Sequence, residues 1–423
     1  MKRIAISFIV AALVVTAGCS KANSGDNGGS NDGGKTVNLT VLSLMSSQVE
    51  KDAYTEVVQQ FEAQNPNIKV DLQFPGAEYE NLMKVRMSSG DLPDIFDTHG
   101  WAKVRYGDYL EDLRSEPWAS KLLPSIEPYV TDEEGKVYAL PLNQSKDGIV
   151  YNEDILKQYD IAVPETHAEL MDAAREIKER SGGEITPFHF AGLDNYTLGY
   201  WFIFMANPLL ISPADNFQQD FKDKKFEWSN WTFLPETFAQ MHKEGLSNVD
   251  LLTAKQSDTT QQFAQGKVAF VVAPPLVLST ARSINPELNA GLMPIPAIVE
   301  GDGPSFSGGE RNTMGVWKDT PHKDEAKKLL EFVAQTENLK KLSEATSLLP
   351  GIQDVEADLY LSPYLDKYKD VRVFPYFDRE WLPNGMFDPM CKLGEDLIAG
   401  GITPEQYSEK MAEEYERLLK QEQ

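Results

Sequence analysis

The sequence predicts an α/β fold made of doubly wound layers. Val37 to Leu44 has the composition of a strand, and Ile68 to Phe74 alternates apolar and polar side chains as a half-buried strand does. Between them, residues 54–61 place apolar side chains on one helical face. A second helix ending near Gly90 and a short strand at Ile95-Phe96 continue the alternation. This strand–helix rhythm is typical of α/β layers whose ligands gather beyond the carboxyl ends of the strands.

The length and charge of the chain limit its partners. The 423 residues leave room for two or three domains, each with its own core. The chain has 40 Lys and Arg against 65 Asp and Glu, a formal net charge of −25. Because so acidic a surface repels phosphate backbones, nucleic acid is excluded as an expected partner.

The N-terminus has the pattern of an export signal. Met1-Lys2-Arg3 is positively charged, residues 4–15 are apolar, and Thr16-Ala17-Gly18 lead to Cys19. The pattern resembles a lipoprotein signal, in which residues 1–18 are removed and Cys19 carries lipid such as palmitate. Residues 19–36 are then a flexible tether, since they are almost wholly Gly, Asn, Ser, Asp and Lys. This predicts a lipid-anchored protein on the extracytoplasmic face of the cell membrane; the alternative is plain secretion with a chance cysteine.

The stretch from Tyr138 to Asn152 is the predicted crossing between two halves of the protein. It is an apolar, β-forming run interrupted by a polar patch at residues 143–147, and Asn152 is placed to cap a helix that starts at Glu153. The alternative is an ordinary buried strand with a polar bulge.

The later elements follow from local signals. Thr166 and Glu169 form the pattern of a capping box, and so do Thr403 and Gln406 at the start of a terminal helix. Residues 187–213 are aromatic and apolar, and residues 267–273 have the composition of a buried strand.

Several motifs spread over the chain resemble one protein family. They are Gly90-Asp91-Leu92-Pro93-Asp94-Ile95, the crossing from Leu140-Pro141 to Tyr151-Asn152, Val163-Pro164-Glu165-Thr166, Phe263 to Phe270, Ser307-Gly308-Gly309, Val316-Trp317-Lys318, Leu349-Pro350 and Gly401 to Glu405. In this order they resemble the extracellular solute-binding proteins of sugar-type ABC importers, the family of the maltodextrin-binding protein.

The resemblance implies a two-lobed, type II periplasmic-binding-protein-like fold, with hinge-linked lobes and a ligand cleft between them. Lobe 1 is expected to comprise residues 37–144 and 310–358, and lobe 2 residues 145–309 and 359–423. The expected partners are a saccharide, an ABC permease in the membrane and the membrane itself, and the protein is expected to be a monomer. Neither a cofactor nor a metal is expected.

A saccharide site needs flat aromatic surface together with side chains that donate and accept hydrogen bonds. Loop position and matched family position select Asp97, His99, Ser145, Asn195, Tyr196, Trp201, Glu310, Trp381 and Phe387. Core roles for the tryptophans and capping or solvated roles for Asp97 and Glu310 are the alternatives. Where many family members have a stacking tryptophan, this chain has Pro274-Pro275. Stacking is therefore expected from Phe377 to Phe387.

The predicted function is the capture of a saccharide, expected to be an oligosaccharide, and its delivery to a permease. Catalysis is not expected, because the five histidines lack metal-ligand spacing and no nucleophile or phosphate-binding motif is present. The competing hypotheses are a surface glycoside hydrolase or polysaccharide lyase, and a saccharide-sensing partner of a membrane receptor.

The leader generates the first testable prediction. Cys19→Ala should release the protein to the medium or leave it unprocessed, because lipid contributes roughly 0.8 kcal/mol of membrane affinity per buried CH₂ and several chains hold firmly. Fractionation of membranes and medium, with N-terminal sequencing, measures this. A variant that is processed at the same site and stays with the membranes would contradict the lipoprotein assignment.

Overall fold

The fold is described from a computed structural model for residues 36–421. The predicted signal, Cys19 and nearly all of the predicted tether lie outside these residues. Within the described part of the chain, no helix is both long and apolar enough to cross a bilayer.

Twelve strands are formed by the described residues. They are β1 (Val37–Leu42), β2 (Ile68–Gln73), β3 (Ile95–Asp97), β4 (Leu140–Pro141), β5 (Asn143–Asn152), β6 (Thr186–Phe188), β7 (Val268–Ala273), β8 (Ala290–Met293), β9 (Phe306–Glu310), β10 (Thr313–Val316), β11 (Leu349–Pro350) and β12 (Val373–Pro375).

Sixteen α-helices connect them in the same part of the chain. They are α1 (Gln48–Gln64), α2 (Tyr79–Ser89), α3 (Glu127–Val130), α4 (Glu153–Gln158), α5 (His167–Arg180), α6 (Tyr196–Leu210), α7 (Gln218–Lys222), α8 (Phe233–Lys243), α9 (Gln256–Ala264), α10 (Leu276–Ile284), α11 (Lys323–Val333), α12 (Thr336–Thr346), α13 (Ser362–Lys367), α14 (Phe377–Glu380), α15 (Phe387–Ile398) and α16 (Pro404–Gln421).

The first sheet has the strand order β2-β1-β3-β10-β4, and we call the half of the molecule built on it lobe 1. β1 is parallel to β2 and β3, whereas β10 is antiparallel to β3 and β4. Asp94 holds β1 beside β3, since its Oδ2 accepts hydrogen bonds from the Thr40 backbone N–H (2.7 Å) and hydroxyl (2.8 Å). α1, α11 and α12 cover this sheet through an apolar core that includes Phe61 and Leu329.

The second sheet has the order β12-β9-β5-β7-β6, with β8 and β11 also paired to β5, and the half built on it is lobe 2. β5 is its central strand, and its outer part pairs antiparallel with β7 and β8. Two apolar cores flank the sheet, and α6 lies in the larger of them. The expected α/β class and the alternating elements are confirmed.

The lobes are joined where β5 begins. Gln144 pairs with Glu310 at the end of β9 and with Leu349 in β11, so three segments of the chain meet at one place. Further along, Val355 packs against the core of lobe 1, whereas Leu361 belongs to a core of lobe 2. The lobes are therefore linked by adjacent backbone segments that can rotate together as a hinge.

The predicted helix starts are confirmed by their hydrogen bonds. The Asn152 side chain accepts from the Ile155 backbone N–H at 3.0 Å. Thr166 and Glu169 form a capping box, and the Thr403 and Gln406 side chains bond each other's backbone N–H groups at 3.3 and 2.9 Å. Each cap satisfies N–H groups that a helix start leaves without partners.

The core of lobe 2 generates a prediction about pH. His167 precedes the first turn of α5 and packs edge-on against Trp201 and Phe233. Burial, together with the charge of Arg175, lowers the pKa of His167 to about 4. The unfolded chain therefore takes up this proton first, so the stability that neutral His167 contributes is present above about pH 6.5 and is lost as the pH falls toward 4.

Measured by denaturant unfolding from pH 7 to 4.5, His167→Gln should lose less stability than the wild type over this interval. The matched control is Phe238→Leu, which opens a cavity in the same core but keeps the imidazole; it should shift the curve downward without changing its slope. A His167→Gln curve parallel to the wild type would refute this assignment.

Candidate functional site

A polar centre lies between the two lobes, around the hinge. β1, β2 and β3 are parallel, so the loops that follow them open at one edge of the lobe 1 sheet. On the lobe 2 side, α10 packs against α1 and α12 of lobe 1. The loops after β1 and β3 therefore face the hinge strands and the start of α6, as the electrostatic contacts below show.

Asp97 ends β3 and is fully buried. Its carboxylate accepts hydrogen bonds from the backbone N–H of His99 (3.0 Å), the side chain of Asn312 (3.0 Å) and the backbone N–H of Thr313 (3.3 Å). Burial raises the pKa of Asp97, while the charge of His99 and these hydrogen bonds act in the opposite direction. Asp97 thus fixes the loop that carries His99, and its own oxygens are occupied by protein donors.

His99 joins a charged group within lobe 1. Its Nε2 lies 2.7 Å from Oε1 of Glu80, and Arg105 Nη1 lies 2.6 Å from Oε2 of the same carboxylate. Burial alone would raise the pKa of Glu80, but the hydrogen bond and charge of His99 and the charge of Arg105 lower it to about 2. Glu80 is therefore a carboxylate at all ordinary pH values.

Gly100 brings this loop against the hinge. A Cβ at Gly100, which has φ +90°, would lie 2.0 Å from Nη1 of Arg379 and 2.6 Å from Oε1 of Glu310. Glu310 is 2% exposed, and Arg379 Nη1 donates to its carbonyl (3.2 Å) and carboxylate (3.3 Å). Burial raises the pKa of Glu310 and Arg379 opposes the rise. Only a glycine permits this approach of the two lobes.

Arg311 is the buried cation of the centre. Burial would lower the pKa of its guanidinium, but the neighbouring Tyr200 hydroxyl and the carboxylates of Glu50 and Asp147 raise it. Glu50 belongs to α1 in lobe 1, whereas Tyr200 belongs to α6 in lobe 2. Arg311 therefore balances charges that come from both lobes.

Ser145 lies on the lobe 2 side of the hinge and is buried. Its hydroxyl donates to Oδ1 of Asp147, and the Tyr376 hydroxyl donates to Oδ2 of the same carboxylate at 2.8 Å. Burial raises the pKa of Asp147, and Arg311 opposes the rise. The predicted residue Ser145 thus belongs to the buried network that positions Arg311.

Asn195 and Tyr196 start α6 beside this network. Tyr196 is 37% exposed, and its ring meets that of Tyr200 edge-on at 5.8 Å. Burial, with Tyr200 and Asp194, raises the pKa of the Tyr196 hydroxyl, while the charge of Arg311 lowers it. The hydroxyl is therefore the enclosed end of an otherwise accessible ring, an arrangement suited to a saccharide.

Phe387 starts α15 and is partly buried. A Cβ on Gly199 of α6 would lie 2.7 Å from the Phe387 ring, so this ring covers the helix one turn after Tyr196. Asn195, Tyr196 and Phe387 are thus brought together on one side of α6.

The two predicted tryptophans are placed differently from the other residues. Trp201 is fully buried, packs edge-on against Phe188 and Phe190, and donates from Nε1 to the Leu234 carbonyl at 3.3 Å. The expectation that Trp201 contacts a ligand is corrected by this placement, because the apolar character of α6 puts that face of the helix into the core.

Trp381 follows α14 and is only partly buried. Its ring lies 6.5 Å from that of Phe221, and the Lys222 ammonium lies 5.7 Å from its centroid. Its Nε1 is enclosed without a hydrogen-bond partner in the described structure. Trp381 therefore lies at the edge of the lobe 2 core, on the same segment as Arg379. Its ligand contact remains a prediction.

Pro274 and Pro275 lead directly into α10, where Val277 donates to the Pro274 carbonyl at 3.2 Å. No aromatic ring occupies this position. Among the described residues, no group of three or more His, Cys, Asp or Glu side chains is arranged to hold a metal ion. The centre can therefore offer hydrogen bonds and aromatic surface to a neutral polyhydroxyl ligand.

The profile of one family, described as bacterial extracellular solute-binding protein, matches residues 46–340. The chain belongs to this family. It is 43% identical over 422 residues to the melibiose/raffinose/stachyose-binding protein MelE of Bacillus subtilis, covering 100% of this chain and 98% of that protein.

Two solved structures agree with the assignment. A sugar transporter from Bacillus licheniformis in complex with stachyose has a TM-score of 0.87 and 45% identity, covering 90% of this chain and all of the other. A binding protein from Bacillus subtilis in an open conformation has a TM-score of 0.82 and 44% identity, covering 92% and 99%. The expected two-lobed, type II periplasmic-binding-protein fold is confirmed, and these relatives of the binding protein are named for binding or transport rather than for catalysis.

Sequence reasoning missed several members of the centre. Glu80, Arg105 and Arg311 were not singled out, because charged residues are too common in this chain to be informative. One signal was available for Arg311, since it directly follows the Ser307 to Glu310 segment that the sequence marks as a crossing.

The exposed ring of Tyr196 generates a prediction. Tyr196→Ala should weaken saccharide binding by about 2 kcal/mol, roughly 30-fold, because an aromatic anchor at the centre of a site carries much of its binding energy. The melting temperature without ligand should stay near the wild type. Titration calorimetry and thermal unfolding measure the two effects. The matched control is Tyr368→Ala in the same lobe, and equal losses of affinity in both variants would remove Tyr196 from the site.

The companion prediction concerns Trp381. Trp381→Ala should weaken saccharide affinity by about 2–4 kcal/mol if the indole stacks on the ligand. Because the ring also packs on Phe221, a purely structural role would instead lower the melting temperature by several degrees and leave the affinity nearly intact. The second pattern would assign Trp381 to the core.

Proposed function

We propose that this binding protein captures a galactose-containing oligosaccharide of the melibiose, raffinose and stachyose type and delivers it to an ABC permease. The observation that carries the proposal is the 43% identity to the melibiose/raffinose/stachyose-binding protein over the whole chain. The stachyose complex at 45% identity supports the same ligand class.

The chemistry of the centre supports an oligosaccharide. These sugars are neutral and present many hydroxyl groups together with C–H faces. Tyr196 and Phe387 offer aromatic surface, while Arg379 and Arg311 place charged donors beside it. Because every buried carboxylate described above has donors from the protein, we expect the ligand to be bound through neutral hydroxyls rather than as a cation or an anion.

We further propose a route for the captured sugar. Cys19 carries lipid on the extracytoplasmic face, residues 20–36 tether the protein, and the monomeric body reaches a permease in the same membrane. The sequence of the leader and the extracellular family support this arrangement. We keep residues 37–144 and 310–358 as lobe 1 and residues 145–309 and 359–423 as lobe 2.

The test is a titration of the purified mature protein with stachyose, raffinose, melibiose and maltose. The galactosides should bind with dissociation constants on the order of 1 μM or lower, about −8 kcal/mol. At 100 times the dissociation constant, each should raise the free energy of unfolding by about 2.7 kcal/mol. Maltose binding without galactoside binding would refute the ligand class, and absence of binding to any saccharide would refute the function.

A second measurement separates binding from hydrolysis. Each sugar is incubated with the protein and then analysed by chromatography, and we expect it to be recovered intact. Release of monosaccharide at a rate that depends on protein concentration would favour the glycoside hydrolase hypothesis over capture.

A further inference from the structure

A hydrogen bond crosses from lobe 1 to lobe 2 away from the hinge strands. Arg105 Nη2 donates to Oδ1 of Asn384, and the two residues are 279 positions apart in the chain. We call Glu80, Arg105 and Asn384 the Arg105 bridge. This contact is independent of the backbone pairing of β5 with β9 and β11.

The lobe 1 end of the bridge is held rigidly. The Arg105 guanidinium bonds Glu80 at 2.6 Å and lies 4.5 Å above the ring of Trp101. Its side chain is 16% exposed, and Glu80 is held in turn by His99. A guanidinium fixed by an ion pair and by stacking loses little further entropy when it bonds another group.

The lobe 2 end is also fixed. Asn384 follows the buried Leu382 and precedes Gly385, whose φ of +99° turns the chain toward α15. Leu382 and Met386 both belong to the core of lobe 2, so the loop cannot follow Arg105 if the lobes separate. The bridge is therefore formed only in the arrangement seen here and is broken by rotation about the hinge.

We infer that Arg105 is a positioning residue that holds the two lobes together and raises saccharide affinity without needing to touch the saccharide. The inference rests on the proposed function. A contact made only when the lobes are together increases the population of that state, and the apparent dissociation constant falls in proportion. One relative has been solved in an open conformation, which is the state against which the bridge acts.

The test uses two substitutions at one position. Asn384→Ala removes the acceptor, whereas Asn384→Asp converts a neutral acceptor into a charged one that bonds arginine more strongly. Small-angle scattering without sugar measures lobe separation, and calorimetry with raffinose measures affinity. We expect a larger radius of gyration and a dissociation constant about fivefold higher for Asn384→Ala, with a radius no larger than the wild type for Asn384→Asp.

Arg105→Gln breaks the bridge from the other lobe and should match Asn384→Ala. The control is Arg114→Gln, which removes a more exposed lobe 1 arginine paired with Asp112 and should change neither measurement. An unchanged radius in both Asn384→Ala and Arg105→Gln would overturn the inference. Weaker affinity at an unchanged radius would also overturn it, since it would mean a direct sugar contact. If the wild type binds no saccharide, the proposed function fails, while the scattering comparison still decides the bridge.

Discussion

The arrangement of the two lobes depends on a buried hydrogen-bond network centred on Asn312. Its amide donates to the Asp97 carboxylate at 3.0 Å, and its carbonyl accepts from Asn143 at 3.3 Å. The Asn143 oxygen accepts in turn from the Asn312 backbone N–H at 3.0 Å. Because a buried polar group without a partner is costly, these three residues must stay together. They fix β3 and β10 of lobe 1 to the first residue of β5, the strand on which lobe 2 is built.

The charged groups around this network explain why the hinge is polar rather than apolar. Arg311 balances Glu50 from one lobe and Asp147 from the other, and Arg379 balances Glu310. Buried charges are tolerated when they are paired and hydrogen-bonded, and removing one partner is strongly unfavourable. A polar hinge also brings donors beside the aromatic surface of Tyr196. The same side chains can therefore hold the lobes in register and form the floor of a saccharide site.

The sequence predicted the parts of this protein that depend on neighbouring residues. The helix caps at Asn152, Thr166 and Thr403 lie where the sequence places them, because a cap needs only side chains within three positions. The site was harder to predict. Tyr196 and Trp201 lie one and a half turns apart on the same helix, so sequence position alone could not tell an accessible ring from a buried one.

The sequence by itself determined the α/β class, the order of the elements and the crossing at Asn143 to Asp147, because hydrophobic periods and turn residues act over short distances. Only the tertiary structure decided which charges meet. Asp97 and Asn312 are 215 positions apart, and Arg105 and Asn384 are 279 apart. In a chain with 105 charged residues, which is the sum of its 40 basic and 65 acidic ones, local pattern cannot select such pairs. Their partners are fixed by how the two sheets are joined through β5.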